Sequence, residues 1–169
     1  MEQLVKEAEK VTKKVIHSSE LDPKFKYEVA SHPGGEKLKV CYACGVCTAG
    51  CPVSDVSDEF DPRKIIRMVL MGMKDRVLSS DFIWYCTQCF SCSGHCPQNV
   101  KFTDIIRVLR DMAVKEGYVD TSFLQKAKEL DRFSQKVRYR LMKSIVAKKG
   151  KAFNLNPLEL LDKVAKELT

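Results

Sequence analysis

The chain has 169 residues, 44% hydrophobic and 30% charged, a balance that fits one folded domain or two small ones sharing a core and excludes a disordered polymer. Its eight cysteines all lie between Cys41 and Cys96. No apolar run approaches the roughly 18 to 20 residues of a membrane span, and the first ten residues carry Glu2, Lys6, Glu7, Glu9 and Lys10 where a secretory signal would be apolar. Clustered cysteines without an export signal point to a reducing cytoplasm and to metal or redox chemistry, not to the dispersed disulfides of a secreted scaffold.

Hydrophobic periodicity predicts an all-α protein with no alternating strands. Residues 3–17 carry Leu4, Ala8, Val11 and Val15 at helical spacing, whereas 18–39, with Pro23, Pro33, Gly34 and Gly35, predicts a loop or extended linker. The first cysteine run follows at 41–52. A helix over 62–78 is predicted to open at Asp61-Pro62, a cap residue followed by proline at the first helical position, and to bury Ile66, Val69, Leu70, Met73 and Val77. The second run occupies 86–97. A third helix, over 104–116, can be capped by Thr103, presents Ile105, Ile106, Leu109 and Met112, and ends near Gly117. Ser122 and Gln125 form a possible capping box for a long helix to about Lys148, with a stripe of Phe123, Ala127, Leu130, Phe133, Val137, Leu141 and Ile145. Asn156-Pro157 opens a last short helix. The expected divisions are 1–37, an amino-terminal helix and linker for docking; 38–117, a cysteine domain; and 118–169, a carboxy-terminal helical extension.

The cysteine runs carry the chemistry. Cys41-x-x-Cys44-x-x-Cys47-x-x-x-Cys51-Pro52 and Cys86-x-x-Cys89-x-x-Cys92-x-x-x-Cys96-Pro97 have one spacing, that of bacterial-type iron–sulfur sequences in which the fourth cysteine ligates the other cluster. By that rule Cys41, Cys44, Cys47 and Cys96 hold one [4Fe–4S] cluster, and Cys86, Cys89, Cys92 and Cys51 hold the other. Three thiolates in seven residues wrap three corners of a cubane. Structural zinc instead takes two C-x-x-C knuckles separated by a longer span. Each run is followed by a similar phrase, Lys64-Ile65-Ile66-Arg67-Met68-Val69-Leu70 and Asp104-Ile105-Ile106-Arg107-Val108-Leu109-Arg110, which marks an internal repeat. Gly45, Gly50 and Gly94 suit tight bends. His95 has no vacant ligand position to fill, and Tyr42, Trp84, Tyr85, Phe90 and Phe102 are expected to shield the clusters.

Neither a G-x-G-x-x-G fingerprint nor a P-loop lysine motif is present, and no ninth cysteine is left to act as a nucleophile. No catalytic residue is assigned; the expected activity is electron transfer. The net charge of +7 is local. Arg132, Lys136, Arg138, Arg140, Lys143, Lys148, Lys149 and Lys151 form a stretch without acidic residues, and the rest of the chain carries −1. Such a patch can neutralise nucleic-acid phosphates, but a solvated or partner-facing helix surface is the plainer reading, so no nucleic-acid partner is expected.

Two such runs joined by helical segments resemble the alpha-helical ferredoxins. More narrowly, Cys41-Tyr42-Ala43-Cys44-Gly45-Val46-Cys47-Thr48-Ala49-Gly50-Cys51-Pro52, Pro62-Arg63-Lys64-Ile65-Ile66-Arg67 and Trp84-Tyr85-Cys86-Thr87-Gln88-Cys89 are similar to the C-subunit family of methanogen heterodisulfide reductases. The resemblance spans about 38–117. It implies two [4Fe–4S] clusters relaying electrons from a flavin-containing A subunit to a catalytic B subunit that reduces the coenzyme M–coenzyme B heterodisulfide in methanogenesis. The complex it implies is cytoplasmic, with a hydrogenase or formate dehydrogenase upstream. A dicluster carrier for another oxidoreductase is the alternative, and an iron–sulfur nucleic-acid-binding protein a more remote one.

Overall fold

The computed structural model describes residues 16–147. The helix predicted after Asn156-Pro157 lies outside them, as do residues 3–15 of the one predicted at 3–17, whose last two residues, Ile16 and His17, are not helical. Among the described residues the chain is all helical: α1 (Phe25–Ser31), α2 (Val46–Ala49), α3 (Pro62–Leu70), α4 (Lys74–Leu78), α5 (Ser91–His95), α6 (Phe102–Lys115) and α7 (Thr121–Ala147), with short 3-10 turns at Ser18–Glu20, Leu38–Val40 and Phe82–Trp84. The chain divides into two compact units, one ending at Val119 and the other starting at Asp120.

The core of the first unit is built from α3 and α6. Ile65, Ile66 and Val69 on α3 and Ile105, Ile106 and Leu109 on α6 are nearly or wholly excluded from solvent, because both helices repeat apolar residues at the spacing that keeps one face inward. Phe60 meets Phe102 edge-to-face, ring centres 6.2 Å apart. Asp61 caps α3: its carboxylate accepts the Lys64 N–H at 3.0 Å, with Pro62 in the first turn. The Thr48 hydroxyl donates to the same carboxylate at 2.6 Å and accepts the Arg63 N–H at 3.1 Å, which fastens the first cysteine loop to the start of α3.

Three local expectations are corrected. Segment 18–39 is not merely a linker, because α1 lies within it and buries Phe25 and Val29 completely; each such side chain contributes about 1.5–3 kcal/mol. The helix expected over 62–78 breaks at Gly72. This residue takes φ +81°, Met73 N–H bonds Met68 O at 3.0 Å and Gly72 N–H bonds Val69 O at 3.0 Å, a Schellman ending that turns the chain into α4. Thr103 is no cap: α6 begins at Phe102, and Thr103 lies inside its first turn, 1% exposed. At the break, Gly72 O accepts the Asp22 N–H at 2.7 Å, and Lys74 Nζ ion-pairs with Glu28 and Glu116, both at 2.9 Å. Burial works against that ammonium, yet the two carboxylates outweigh it and hold its pKa above the usual lysine value.

The second unit is described through α7. The Asp120 carboxylate accepts the Ser122 N–H at 2.7 Å, so Asp120 does the capping, while the Gln125 amide donates to Glu129 at 3.0 Å in place of the expected capping box. Leu130, Phe133, Tyr139, Met142 and Val146 on α7 are all exposed.

A Cβ on Gly72 would stand 2.3 Å from Asp22 O at a backbone conformation that disfavours side chains. Gly72→Ala is therefore expected to destabilise the protein by roughly 2 kcal/mol or more, read as a lower denaturation midpoint. Asp61→Ala should cost about 1–2 kcal/mol at pH 7. Burial would raise the Asp61 pKa, but the Thr48 hydroxyl and the Lys64 and Arg63 amides outweigh it and hold it below the usual aspartate value. A depressed folded-state pKa stabilises above the unfolded value and is lost as pH falls through the folded one. The stability gap between wild type and Asp61→Ala should accordingly narrow below about pH 4, as thermal midpoints across pH will test.

Candidate metal centres

Both cysteine loops repeat one backbone path. Ala43 and Gly45 in the first loop have φ of +54° and +86°, and Gln88 and Phe90, their counterparts in the second, have +51° and +61°. A turn of helix then follows in each. Thr48 and Ala49 N–H bond Gly45 O, and Ser93 and Gly94 N–H bond Phe90 O, all at 3.0–3.1 Å. Left-handed backbone at non-glycine residues costs of order 1–3 kcal/mol each and persists only where the surroundings impose it. Alternation of this kind turns successive N–H groups inward and makes the anion-receiving nests of iron–sulfur loops.

α2 and α5 pack against each other, and the Ser91 hydroxyl donates to Gly50 O at 3.0 Å. This contact brings the fourth cysteine of each run to the other loop. One cavity, about 400 Å³ of empty space partly open to solvent, is lined by Cys41, Cys44, Cys47 and Cys96. A second, about 270 Å³, is lined by Cys51, Cys86, Cys89 and Cys92. Ile66, Val100 and Arg63 border the first, Val53, Phe60 and Thr103 the second, and Phe102 borders both.

The donor set suits iron–sulfur clusters. Among the described residues, no three His, Cys, Asp or Glu side chains converge as a single metal ion requires; the thiols surround a volume. Burial pushes the Cys47 thiol up to about 11, against the Thr48 hydroxyl, and the Cys86 thiol up to about 11, against the Gln88 amide and the Arg110 charge. Thiolates in such surroundings call for cations, and bound iron supplies them. Donors already approach the sulfurs. Ala43 N–H reaches Cys41 Sγ at 3.4 Å, Val100 N–H reaches Cys96 Sγ at 3.2 Å, and the Thr103 hydroxyl lies 3.3 Å from Cys92 Sγ. The buried Ser93 hydroxyl in the second loop has no hydrogen-bond partner.

The two sites differ in wetness. Cys86 and Cys92 are 8% and 7% exposed, Cys41, Cys47, Cys51 and Cys96 are half-buried, and Cys44 and Cys89 open to solvent. Of the aromatic residues expected to shield the clusters, Phe102 and Tyr42 line a cavity, although Tyr42 is 72% exposed. Tyr85 and Phe90 also face solvent, Phe90 beneath the Arg107 guanidinium, and Trp84 packs on Arg110. His95 lines neither cavity; its Nδ1 lies 2.8 Å from Ser91 O. Sequence reasoning missed Arg110 and Thr103. The signal for Arg110 was available: it is a charge on the apolar stripe of its helix, where the matching phrase has Leu70.

Comparison with known proteins agrees with this geometry. Residues 37–100 match the model of the 4Fe-4S dicluster domain. The chain is 42% identical over 102 residues to the iron-sulfur C 2 subunit of the CoB–CoM heterodisulfide reductase of Methanocaldococcus jannaschii, covering 60% of this chain and 54% of the relative. It is 35% identical over 105 residues to the C subunit of the H2:CoB-CoM heterodisulfide, ferredoxin reductase of Methanothermobacter thermautotrophicus, covering 62% and 56%. It is 47% identical over 87 residues to the C2 subunit of the H2/formate:CoB-CoM heterodisulfide, ferredoxin reductase of Methanococcus maripaludis, covering 49% and 46%. The matched region spans about half the length of these curated relatives. Residues 37–100 are thus a 4Fe-4S dicluster domain, which holds two [4Fe–4S] clusters, and the chain is a homologue of the iron–sulfur C subunits of heterodisulfide reductases.

Proposed function

We propose that this chain is the electron-relay subunit of a cytoplasmic heterodisulfide reductase complex, with its chemistry confined to moving electrons. In this reading Cys41, Cys44, Cys47 and Cys96 ligate one cluster, and Cys86, Cys89, Cys92 and Cys51 ligate the other. Electrons enter from a flavin-containing A subunit, itself supplied by a hydrogenase or formate dehydrogenase, and leave to a catalytic B subunit that cleaves the coenzyme M–coenzyme B disulfide. Each cluster, when bound, takes up and gives back one electron at a time. The observation that carries the reading is the division of the eight thiols between two cavities, four to each, with one cysteine exchanged between the runs. Full thiolate ligation leaves no open coordination position for a substrate, which favours relay over bond chemistry.

The protein's own residues perform three tasks in this scheme. The left-handed loops present backbone N–H groups, Phe102 and the aliphatic faces of α3 and α6 exclude water, and the exposed Cys44 and Cys89 give each site an edge at the surface where a partner can approach. The 120–169 segment acts as a docking element, its described part α7 offering apolar and basic side chains to a partner. No helix among the described residues is long and apolar enough to cross a membrane.

Anaerobically purified protein should contain about eight iron and about eight acid-labile sulfide per chain. It should also copurify from its native cell with flavin-bearing and disulfide-reducing subunits; recovery with a different oxidoreductase would instead identify it as that enzyme's carrier. Cys96→Ser should alter the same EPR signal as Cys47→Ser, and Cys51→Ser the same signal as Cys89→Ser. Pairing by run, Cys96 with Cys89, would reject the exchanged ligation. Lys136→Glu with Lys143→Glu should leave the iron content unchanged and reduce retention of partner subunits several-fold. Salt-sensitive DNA retention that these changes abolish, without any loss of partner, would favour nucleic-acid binding.

A further inference from the structure

The two cysteine loops are near-copies, yet one charge breaks the likeness. In the aligned phrases 64–70 and 104–110, Leu70 on α3 corresponds to Arg110 on α6. α3 packs on the Leu38–Val40 turn that leads into Cys41, and α6 packs on the Phe82–Trp84 turn that leads into Cys86. Leu38 and Ile83, matching residues in the two lead-ins, are both fully buried. The first lead-in carries the exposed Lys37 and Lys39, whereas the second half adds a buried cation there. Arg110 is 4% exposed; its Nε donates to Ile83 O and its Nη2 to Trp84 O and Cys86 O, all at 2.9 Å. The Trp84 ring covers the guanidinium, whose carbon lies 5.4 Å from the ring centre.

We propose that Arg110 is a positioning residue for redox: its buried charge raises the reduction potential of the cluster held by the Cys86–Cys92 loop and so sets the two repeated centres apart. The proposal rests on the relay reading above. Reduction adds one negative charge to a cluster, and burial opposes that addition. The second site is the drier one, with Cys86 and Cys92 nearly excluded from water, so on burial alone it would be the harder to reduce. A fixed cation beside it acts in the opposite sense. At equal distance a charge in a protein-like dielectric of about 20 acts about four times as strongly as one in water at about 80. Arg63, the cation bordering the first cavity, is exposed and therefore screened. Arg110 is not. Its three carbonyl bonds also fix the approach of the chain to Cys86, which keeps the charge in register with the cluster ligand.

The test is an EPR-monitored redox titration of full-length, cluster-loaded Arg110→Gln and Arg110→Lys, with the signal of this site assigned through Cys89→Ser. R110Q should lower the one-electron reduction constant of that signal at least tenfold, equivalent to 59 mV, and leave the other signal within about threefold. R110K should retain most of the wild-type value. Three results overturn the proposal: an unmoved midpoint in iron-replete R110Q, equal movement of both signals, or a shift in R110K as large as in R110Q. If R110Q does not load iron, Leu70→Arg decides, because Leu70 is only partly buried at the edge of the core. It should raise the reduction constant of the other cluster at least threefold, and no shift would overturn the proposal. Failure of the relay reading looks different: the wild-type protein would copurify without flavin-bearing and disulfide-reducing subunits, whichever way these midpoints move.

Discussion

The exchange of one cysteine between two loops is the constraint on which the rest of the first unit depends. For Cys96 to stand beside Cys41, Cys44 and Cys47, and Cys51 beside Cys86, Cys89 and Cys92, α2 and α5 must face each other at close range. A short helical turn achieves this where a longer one would overshoot. The longer helices α3 and α6 then follow their own loops and line the cavities, Ile66 of α3 the first, Thr103 of α6 the second and Phe102 of α6 both, with Phe60 edge-to-face on Phe102. The amino-terminal α1 and the Lys74 ion pairs clamp the far side, where α4 begins and α6 ends. Apolar burial supplies most of the stability, and the thiol geometry decides which apolar surfaces meet.

Strain and charge are concentrated at the same place. Among the described residues, three of the four non-glycine residues in left-handed conformation belong to the cysteine loops, and the fourth, Asn99, follows Cys96 by three residues. A fold of this size tolerates such costs when bound clusters repay them through ligation. The unpartnered Ser93 hydroxyl and the raised thiol pKa values belong to the same picture, in which the protein half of the site is organised around charge that the iron brings.

Much of this was legible in the residues. Cysteine spacing alone indicated two cubane clusters, because three thiolates in seven residues leave little other geometry. The all-helical class followed from periodicity, and Asp61-Pro62 marked the start of α3 because cap chemistry is local. The errors have one physical origin. Whether 18–39 contains a helix depends on Phe25 and Val29 finding a distant apolar surface, which no local pattern records. Whether a helix continues through Met71-Gly72-Met73 depends on Asp22 docking against it. Thr103 looked like a cap because its side chain can be one; burial beside Cys92 gave it another partner. Arg110 was visible only as a break in an amphipathic stripe, and its meaning required the carbonyls of a segment 24–27 residues earlier.

Neither half of the cysteine domain contains a complete set of four thiols around its own cavity; each supplies three and receives the fourth. A lone half would be incomplete at its own site and would hold a spare cysteine pointing away from it. Two identical halves meeting about a twofold axis would satisfy both deficits at once, each closing the other. The repeated backbone, the matched helix phrases and the exchange of cysteines give the domain that twofold likeness within one chain. Because both halves are carried on one chain, a single position, Leu70 against Arg110, can differ and make them unequal.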